Sequence, residues 1–585
     1  MKRIILLGFF ELILLLAEAQ FPFVYGSGDT SPVRSTNLTT NYLTPTRIVW
    51  KSDTTGKYIN DAEYLLKSGT GQADLIRGDY FRITNDSIKK HGIVLDFGRE
   101  IQGGIEIVVP RGNRNPAGTI RIRFGESVAE TMSEIGEHNS TNDHAMRDFT
   151  VTLPWLGRLQ VGESGFRFVR IDLVDANATL RVKEVSAIFR YRSIPYIGSF
   201  TCNDEKLNKI WMTGAYTVHL NMQDYLWDGV KRDRLVWVGD MHPEVMTINS
   251  VFGYNDIVPK SLDFAKHEAP LPNYMNGIGS YSIWWILIQK DWYYYQGNLN
   301  YLKQQQPYLA ELIKHLSGKI GPEGSEILDG ERFLDWPSSE NKAAIHAGLQ
   351  ALMVMGFQAG AELSRILNDS HTESLCKESL TKLKMHIPSM ADSKQAAALL
   401  ALSGLISPED ANNKVLSQDG VHKMSPFYGY YMLIAQAMAG DFQGAINNIR
   451  EFWGAMLDLG ATTFWEDFNI DWTRNAAPID ELVPPGKIDV HGQYGGYAYK
   501  GFRHSLAHGW ASGPTSWLTK YVLGVNVLKQ GCKKIRITPH LGDLEWVTGT
   551  FPTPYGVLKI EHKKQNDGSI KTTYQKPKGI TVVLD

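Results

Sequence analysis

Between Gln20 and about Ile194, apolar side chains recur at every second position. Ile105, Ile107 and Val109 alternate with polar neighbours, as do Ile120, Ile122 and Phe124, and Phe166 and Phe168. Such alternation buries one face of a strand, and clusters such as RGNRNPAG supply turns between runs, so a β-sandwich is expected. The stretch from Glu126 to Asp148, rich in His, Asn and Glu, carries no such period and reads as a long loop, a kind of segment usually functional or disordered. Near Asn203 the spacing becomes helical: the runs from Asn341 to Leu367 and from Gly444 to Gly460 place apolar residues on one face over 15 or more positions. Many helices with short Gly, Pro and Asn breaks continue to about Gly524, which suits a closed helical array better than a four-helix bundle. After Val525 the strand pattern returns, with Asn566-Asp567-Gly568 as a hairpin turn. That last piece is small for an independent core and is expected to dock on the helices.

The predicted division is a leader at 1–19, an N-terminal β-sandwich at 20–195, a helical domain at 196–525 and a C-terminal β-sandwich at 526–585. A chain of 585 residues exceeds what one core usually supports, which agrees with several domains. Lys2 and Arg3 precede an apolar run broken by Glu11 and an Ala17-Glu18-Ala19 site, the pattern of a cleaved secretory signal. The run is too short for a membrane span, so a secreted or periplasmic protein without a span after cleavage is expected. A net charge of -2 argues against a nucleic-acid partner. Cys202, Cys376 and Cys532 are odd in number and far apart, which predicts three buried thiols rather than a disulfide framework or zinc site. No metal or cofactor is expected.

Chemistry enters with DGVKRDRLVWVGD, where Asp228, Asp233 and Asp240 alternate with Lys231, Arg232 and Arg234. A charge run is usually a solvated, ion-paired surface. Here Trp227 and Trp237 interleave with the charges, Gly239 permits close backbone approach, and His242 and Glu244 add titratable groups. Crowded carboxylates have their pKa values pushed apart, as acid catalysis requires. A second acidic-aromatic cluster, GATTFWEDF, follows a helix and sets Glu466 where a side chain can project into a cleft. Two such clusters suggest a glycoside hydrolase, in which one carboxyl protonates the leaving oxygen and another activates water or attacks the anomeric carbon. Tryptophan supplies a flat face for the sugar. His504 and His508, four apart, are expected to hydrogen-bond rather than bind zinc, with His508 lining the site.

These motifs resemble glycoside hydrolase family 78, the inverting α-L-rhamnosidases. Asp228, Arg232, Leu235, Trp237, Gly239 and Asp240 match the family's D-C-P-Q-R-E-x-L-G-W-x-G-D, and Gly460 to Glu466 is similar to its G-A-T-T-x-W-E. The run from His504 to Val525 looks like the segment whose histidine, here His508, lies in the sugar site. LDFGREIQGG, FLDW around Asp335 and TPYG extend the similarity over nearly the whole mature chain. The resemblance implies an (α/α)6 barrel catalytic domain flanked by β-sandwiches, with inversion between carboxyls about 6.5–9.5 Å apart. It implies Glu466 as general base, and Asp228, Arg232, Trp237, Asp240, Asp335, Trp465 and His508 as substrate-binding residues. The family's general acid is a glutamate where this chain has Asp233. A side chain one methylene shorter needs a closer backbone or substrate, or its replacement by Glu244 or Asp335. About 40 residues separate Glu466 from His508, and Trp472, Arg474, Asp480, Glu481 and Lys487 in that run are expected to reshape the leaving-group side.

The resulting expectation is an exported hydrolase acting on terminal α-L-rhamnose of an oligosaccharide or glycoconjugate. Two alternatives stand beside it. One is a related barrel acting on a uronic acid held by Lys231, Arg232, Arg234 and Arg474. The other is a non-catalytic glycan-binding protein, suggested by the shortened acid.

Overall fold

The computed structural model describes residues 36–584, apart from 77 and 498. The expected leader at 1–19 and the first residues assigned to the sandwich lie outside the described residues. The N-terminal alternation builds an antiparallel sheet ordered Leu38–Leu43, Glu184–Arg192, Gly92–Val109, Gly157–Leu173, Gly118–Gly125, Asp148–Leu153, with Arg47–Lys51 also on Gly92–Val109. A smaller sheet holds Ile59–Asn60, Phe81–Thr84 and Thr179–Val182. Ile105, Ile107, Val109, Ile120, Ile122 and Phe124 enter one core with Ile83 and Leu180 of the smaller sheet. Phe166 joins them, but Phe168 packs with Val94 and Val128 in a separate cluster. Pairing is irregular there, Asp96 standing opposite Phe168 but Ile101 opposite Phe166, so the strict alternation expected of these two residues is lost.

Among the described residues, six helices close an inner ring: Met241–Val251, Gly279–Gln296, Lys342–Leu367, Lys394–Ser403, Gly429–Met438 and Gly513–Trp517, each packing on the next and the last on the first. Every residue of Met241–Val251 is buried, as a helix surrounded by others requires. Outer helices are amphipathic instead; Leu299–Ser317 buries Leu302, Leu309, Leu312, Ile313 and Leu316 along one stripe. Asp204, Asn298, Asn341 and Asp369 fix helix starts by accepting backbone N–H groups. This is the (α/α)6 architecture.

The C-terminal strands form a sheet of Ser199–Cys202, Trp546–Thr553, Gly556–Lys564 and Ile570–Gln575, and another of Val525–Lys529, Lys534–Ile537 and Thr581–Leu584. Val547, Phe551, Leu558, Ile535 and Ile537 share one core with the barrel helices, which is the docking expected of so small a piece. The first sheet borrows Ser199–Cys202 from before the barrel, a long-range pairing that a boundary near 196 leaves out. All three cysteines are buried with free thiols.

Candidate active site

Loops that lead into the inner-ring helices build the site. Asp240 caps Met241–Val251, Ile278 caps Gly279–Gln296, Phe333 and Trp336 precede Lys342–Leu367, and His508 and Trp510 precede Gly513–Trp517. All of these residues line one cavity of about 220 Å³, together with Asp228, Asp233, Trp237, Tyr281, Glu331 and Glu466. Inner helices thus turn their N-termini, the positive ends of their dipoles, towards a wall rich in carboxylates. Backbone bonds knit the loops: Gly509 N–H donates to Asp228 O at 2.8 Å, His508 N–H to Phe464 O at 2.9 Å and Glu466 N–H to Ser505 O at 3.0 Å. The N-terminal sandwich braces the second cluster, because Arg167 donates to Gly460 O at 3.0 Å and Glu100 N–H donates to Thr462 Oγ1 at 2.9 Å. Asp96 of the same LDFGRE run holds that arginine through both oxygens.

Arg232 links the two carboxyls of greatest interest. Its Nη2 donates to both oxygens of Glu466, and its Nη1 donates to Asp233 Oδ1 at 2.9 Å. Burial by itself would raise the Glu466 pKa; the Arg232 guanidinium, aided by His508 and His504, outweighs burial and holds it at about 2. Ser505 N–H also donates to Glu466 Oε2 at 3.2 Å, and Trp510 Nε1 fixes the backbone by donating to Glu466 O at 2.9 Å. Asp233 is half-buried. Its Oδ2 accepts from Trp237 Nε1 at 3.2 Å, and its Oδ1 stands 3.3 Å from His144 Nδ1. His144 belongs to the Glu126 to Asp148 segment, which is irregular apart from Val128–Met132 and the turn Glu137–Asn139 and brings His144 beside the barrel loop that carries Asp233.

Opposite these groups, Asp240 Oδ2 lies 3.0 Å from His508 Nε2, and Asp240 Oδ1 accepts from Tyr281 Oη at 3.1 Å. Burial lifts the Asp240 pKa despite that imidazole. Burial works against the charged form of His508, but the hydrogen bond to Asp240 and the charges of Glu466, Asp240 and Asp228 raise its pKa on balance. Asp228 is fully enclosed, and burial sends its pKa well above the usual carboxylate range. A carboxyl that holds a proton can donate a hydrogen bond as well as accept one.

Several sequence expectations end elsewhere. Trp465 is 1% exposed and packs edge-on against Phe468, 5.7 Å between ring centres, behind the wall rather than on it. The aromatic faces at the cavity are Trp237, Tyr281, Phe333, Trp336 and Trp510. Asp335 accepts from Ser425 and Gln395 and does not line the cavity; burial lifts its pKa to about 6. Glu244 is buried against Gly509, where any side chain would collide with its carboxyl, and is likewise absent from the wall. His504 and His508 lie outside any α-helix: His504 Nε2 accepts from Asp467 N–H at 2.9 Å while His508 faces Asp240. Asp467, not singled out from sequence, has a pKa raised to about 7 by burial and by the nearby Asp335 and Glu466 charges. In the run after Glu466, Asp480 and Glu481 pair with Arg47 of the sandwich, and Trp472 stacks on Tyr494.

Glu126, Glu130 and His491 bring their ligand atoms within 4.8 Å of one another. The cation among them is Lys231, whose ammonium lies 2.9 Å from Glu126 and 3.3 Å from Glu130 and also donates to the Phe502 and His504 carbonyls. Lys231→Met leaves buried Glu126 without its counter-charge and Glu130 with Arg147 alone, 3.8 Å away, so a loss of about 3–5 kcal/mol in unfolding free energy is expected by urea denaturation. A loss under about 1 kcal/mol would contradict this role for Lys231.

The bacterial α-L-rhamnosidase six-hairpin glycosidase domain matches residues 195–425, and the bacterial α-L-rhamnosidase C-terminal domain matches 524–585. The chain belongs to the bacterial α-L-rhamnosidase family of six-hairpin glycosidases. A curated relative, an α-L-rhamnosidase of Formosa agariphila, is 23% identical over 502 residues, covering 77% of this chain and 50% of the relative. The family 78 rhamnosidase of Bacillus sp. GL1 superimposes with a TM-score of 0.70 at 21% identity, over 88% of this chain and 55% of that one. The rhamnosidase from Klebsiella oxytoca with rhamnose bound gives 0.62 at 18% identity, over 82% and 95%. At these identities the solved structures establish the fold of this six-hairpin glycosidase. The chain spans about half the length of the curated relative it matches.

Proposed function

We propose that the chain is an exported, inverting glycoside hydrolase that removes terminal α-L-rhamnose from an oligosaccharide or glycoconjugate. The observation that carries this reading is the pair Asp233 and Glu466 facing one small cavity, linked from behind by Arg232. Asp233 gives its proton to the glycosidic oxygen, and Glu466 takes one from a water on the opposite side of the ring. The small cavity suits a single sugar ring. Its aromatic wall suits the methyl end of a deoxyhexose, while Asp228, Asp240 and His508 meet hydroxyls. Family membership supports the sugar, and the leader pattern in the sequence supports export.

The electrostatics argue against a uronic acid. Lys231 is engaged by two glutamates, Arg232 by Glu466 and Asp233, Arg234 by Glu163, and Arg474 by Asp471 in an exposed pair. The cavity wall carries five carboxyls against one histidine, and the nearby cations are already paired, so a substrate carboxylate finds no available counter-charge among the described residues. Incubation with a rhamnosylated oligosaccharide, followed by NMR within the first minutes, is expected to show β-L-rhamnose appearing first. Initial α-anomer would refute inversion, and release of uronic acid alone would refute the sugar.

Arg232 gives this reading a pH signature. With its pKa at about 2, Glu466 is ionised at any ordinary assay pH. Arg232→Gln removes the dominant lowering influence and leaves burial to raise that pKa, so the acid limb of kcat/KM is expected to move up by about two pH units or more. A profile between pH 3 and 8 unchanged by the substitution would contradict the clamp.

A further inference from the structure

A separate cavity of about 390 Å³ opens where the N-terminal sheet meets helix Glu205–Asn221. Strand Leu38–Leu43 supplies Asn41 and Leu43, and strand Glu184–Arg192 supplies Phe189 and Tyr191, each pair two positions apart and so on one face. The helix adds Met212, Tyr216 and His219 along one stripe, and Tyr196 completes the wall. Arg99 lies over these rings, its guanidinium carbon 5.8 Å from the Phe189 ring centre and 5.4 Å from that of Tyr216. It is exposed, and no carboxylate pairs with it among the described residues. Asp96 and Glu100 of the same LDFGREIQGG run act on the catalytic loops through Arg167 and Thr462, whereas Arg99 serves this other cavity. Most hydroxyls here are already committed: Tyr216 Oη donates to Glu100 O at 2.6 Å, and His219 sits between Arg192 O at 2.7 Å and Tyr196 Oη at 3.1 Å. Tyr191 Oη accepts from Asn41 Nδ2 at 2.7 Å, which leaves the phenol hydrogen for a ligand.

We propose that this cavity is a glycan-binding site, distinct from the catalytic one, that holds a uronate residue of a carbohydrate chain with Arg99 on its carboxylate. A guanidinium presents a planar fork of donors that matches a carboxylate, and here no protein acid competes for it. The rings offer flat apolar faces to the C–H surface of a pyranose, while Tyr191 and Asn41 meet its hydroxyls. The volume is in the range of small-molecule sites, about 300–1,000 Å³. The catalytic cavity has no available counter-charge for a carboxylate, so the two sites divide the labour: a neutral residue at Glu466, an acidic one at Arg99. Binding at Arg99 needs no turnover, and the inference therefore does not depend on which sugar is cleaved.

The experiment is isothermal titration calorimetry with trigalacturonate and with its methyl ester, which keeps the rings and removes the charges, both in the presence of L-rhamnose to fill the catalytic cavity. The parent is expected to bind the acid about tenfold or more tightly than the ester. Arg99→Gln, at an exposed position, is expected to weaken the acid about tenfold or more and to bind acid and ester alike. Lys384→Gln, which removes another exposed cation on the helical domain, is expected to change neither affinity. No binding of trigalacturonate by the parent, or an affinity unchanged in Arg99→Gln, overturns the proposal. An equal loss in Lys384→Gln also overturns it, because attraction is then diffuse rather than placed at Arg99. Turnover of methyl α-L-rhamnoside is expected to be the same in Arg99→Gln and the parent; its absence from both would sink the rhamnosidase reading and leave the titration to decide this cavity.

Discussion

Glu466→Gln is expected to cut kcat on an α-L-rhamnoside by about 10²–10⁴-fold while altering KM far less. The amide keeps the volume of the carboxyl, and its oxygen still accepts from Ser505 N–H, but it has no basic site for a water proton. Arg232 now donates to both Glu466 oxygens; in the variant one of those positions is an amide NH2 facing a guanidinium. A stability loss of about 1–3 kcal/mol is therefore expected as well. Domains are commonly stable by about 5–15 kcal/mol, so such a loss leaves most molecules folded and a hundredfold fall in kcat belongs to chemistry. Steady-state kinetics alongside urea unfolding separates the two effects, and a kcat within about threefold of the parent would remove Glu466 as the base.

The architecture was legible because the chain changes period twice. Alternation at Ile105 to Val109 and Ile120 to Phe124 survives folding, and the change near Asn203 marks the barrel. What periodicity missed is non-local. Nothing near Ser199 announces that Ser199–Cys202 pairs with Trp546–Thr553, more than 300 positions away. Phe166 and Phe168 look like partners on one face, and only the irregular pairing with Asp96 to Ile101 separates them. The Glu126 to Asp148 segment read as a loop because, Val128 apart, its buried residues are mostly polar: Glu126 and Glu130 on Lys231, Arg147 on backbone carbonyls. Hydrophobicity is blind to a segment held by charges.

At the site, residue type pointed to the right loops but not to the direction of each side chain. Trp237 and Trp465 both sit among acids, yet only Trp237 lines the cavity, because Trp465 turns towards Phe468 in the core. Tyr281 gave no signal beyond helical core, whereas Phe333, Trp336 and Trp510 lie in FLDW and the His504 to Val525 run, where Asp335 and His508 drew the reading instead. His144 is the harder case. It stands next to Asp233 although 89 positions earlier in the chain, and a long polar insertion in an otherwise regular sheet was its only mark.

The test that isolates the acid is Asp233→Asn read on two leaving groups. Poor leaving groups, such as a methyl or sugar alkoxide, depart only with a proton, so kcat/KM for methyl α-L-rhamnoside is expected to fall by about 10²–10⁴-fold. A p-nitrophenolate leaves without help, and with it the loss is expected to stay below about tenfold. The asparagine oxygen retains a partner in Trp237 Nε1, but the side chain is only 9% exposed, so urea unfolding of the variant accompanies the kinetics. A structural defect at position 233 would depress both substrates alike, because it would displace the sugar whatever it carried. Equal losses on the two glycosides would therefore move the acid to another carboxyl. Glu244 and Asp335 are poor heirs, since neither lines the cavity that holds Glu466, and Asp335 already accepts from Ser425 and Gln395. Asp233 lines the cavity that also holds Glu466 and stands 3.3 Å from His144 of the N-terminal sandwich segment. Under the proposed assignment the acid is held in place by Arg232 and Trp237, which donate to its two oxygens from different directions.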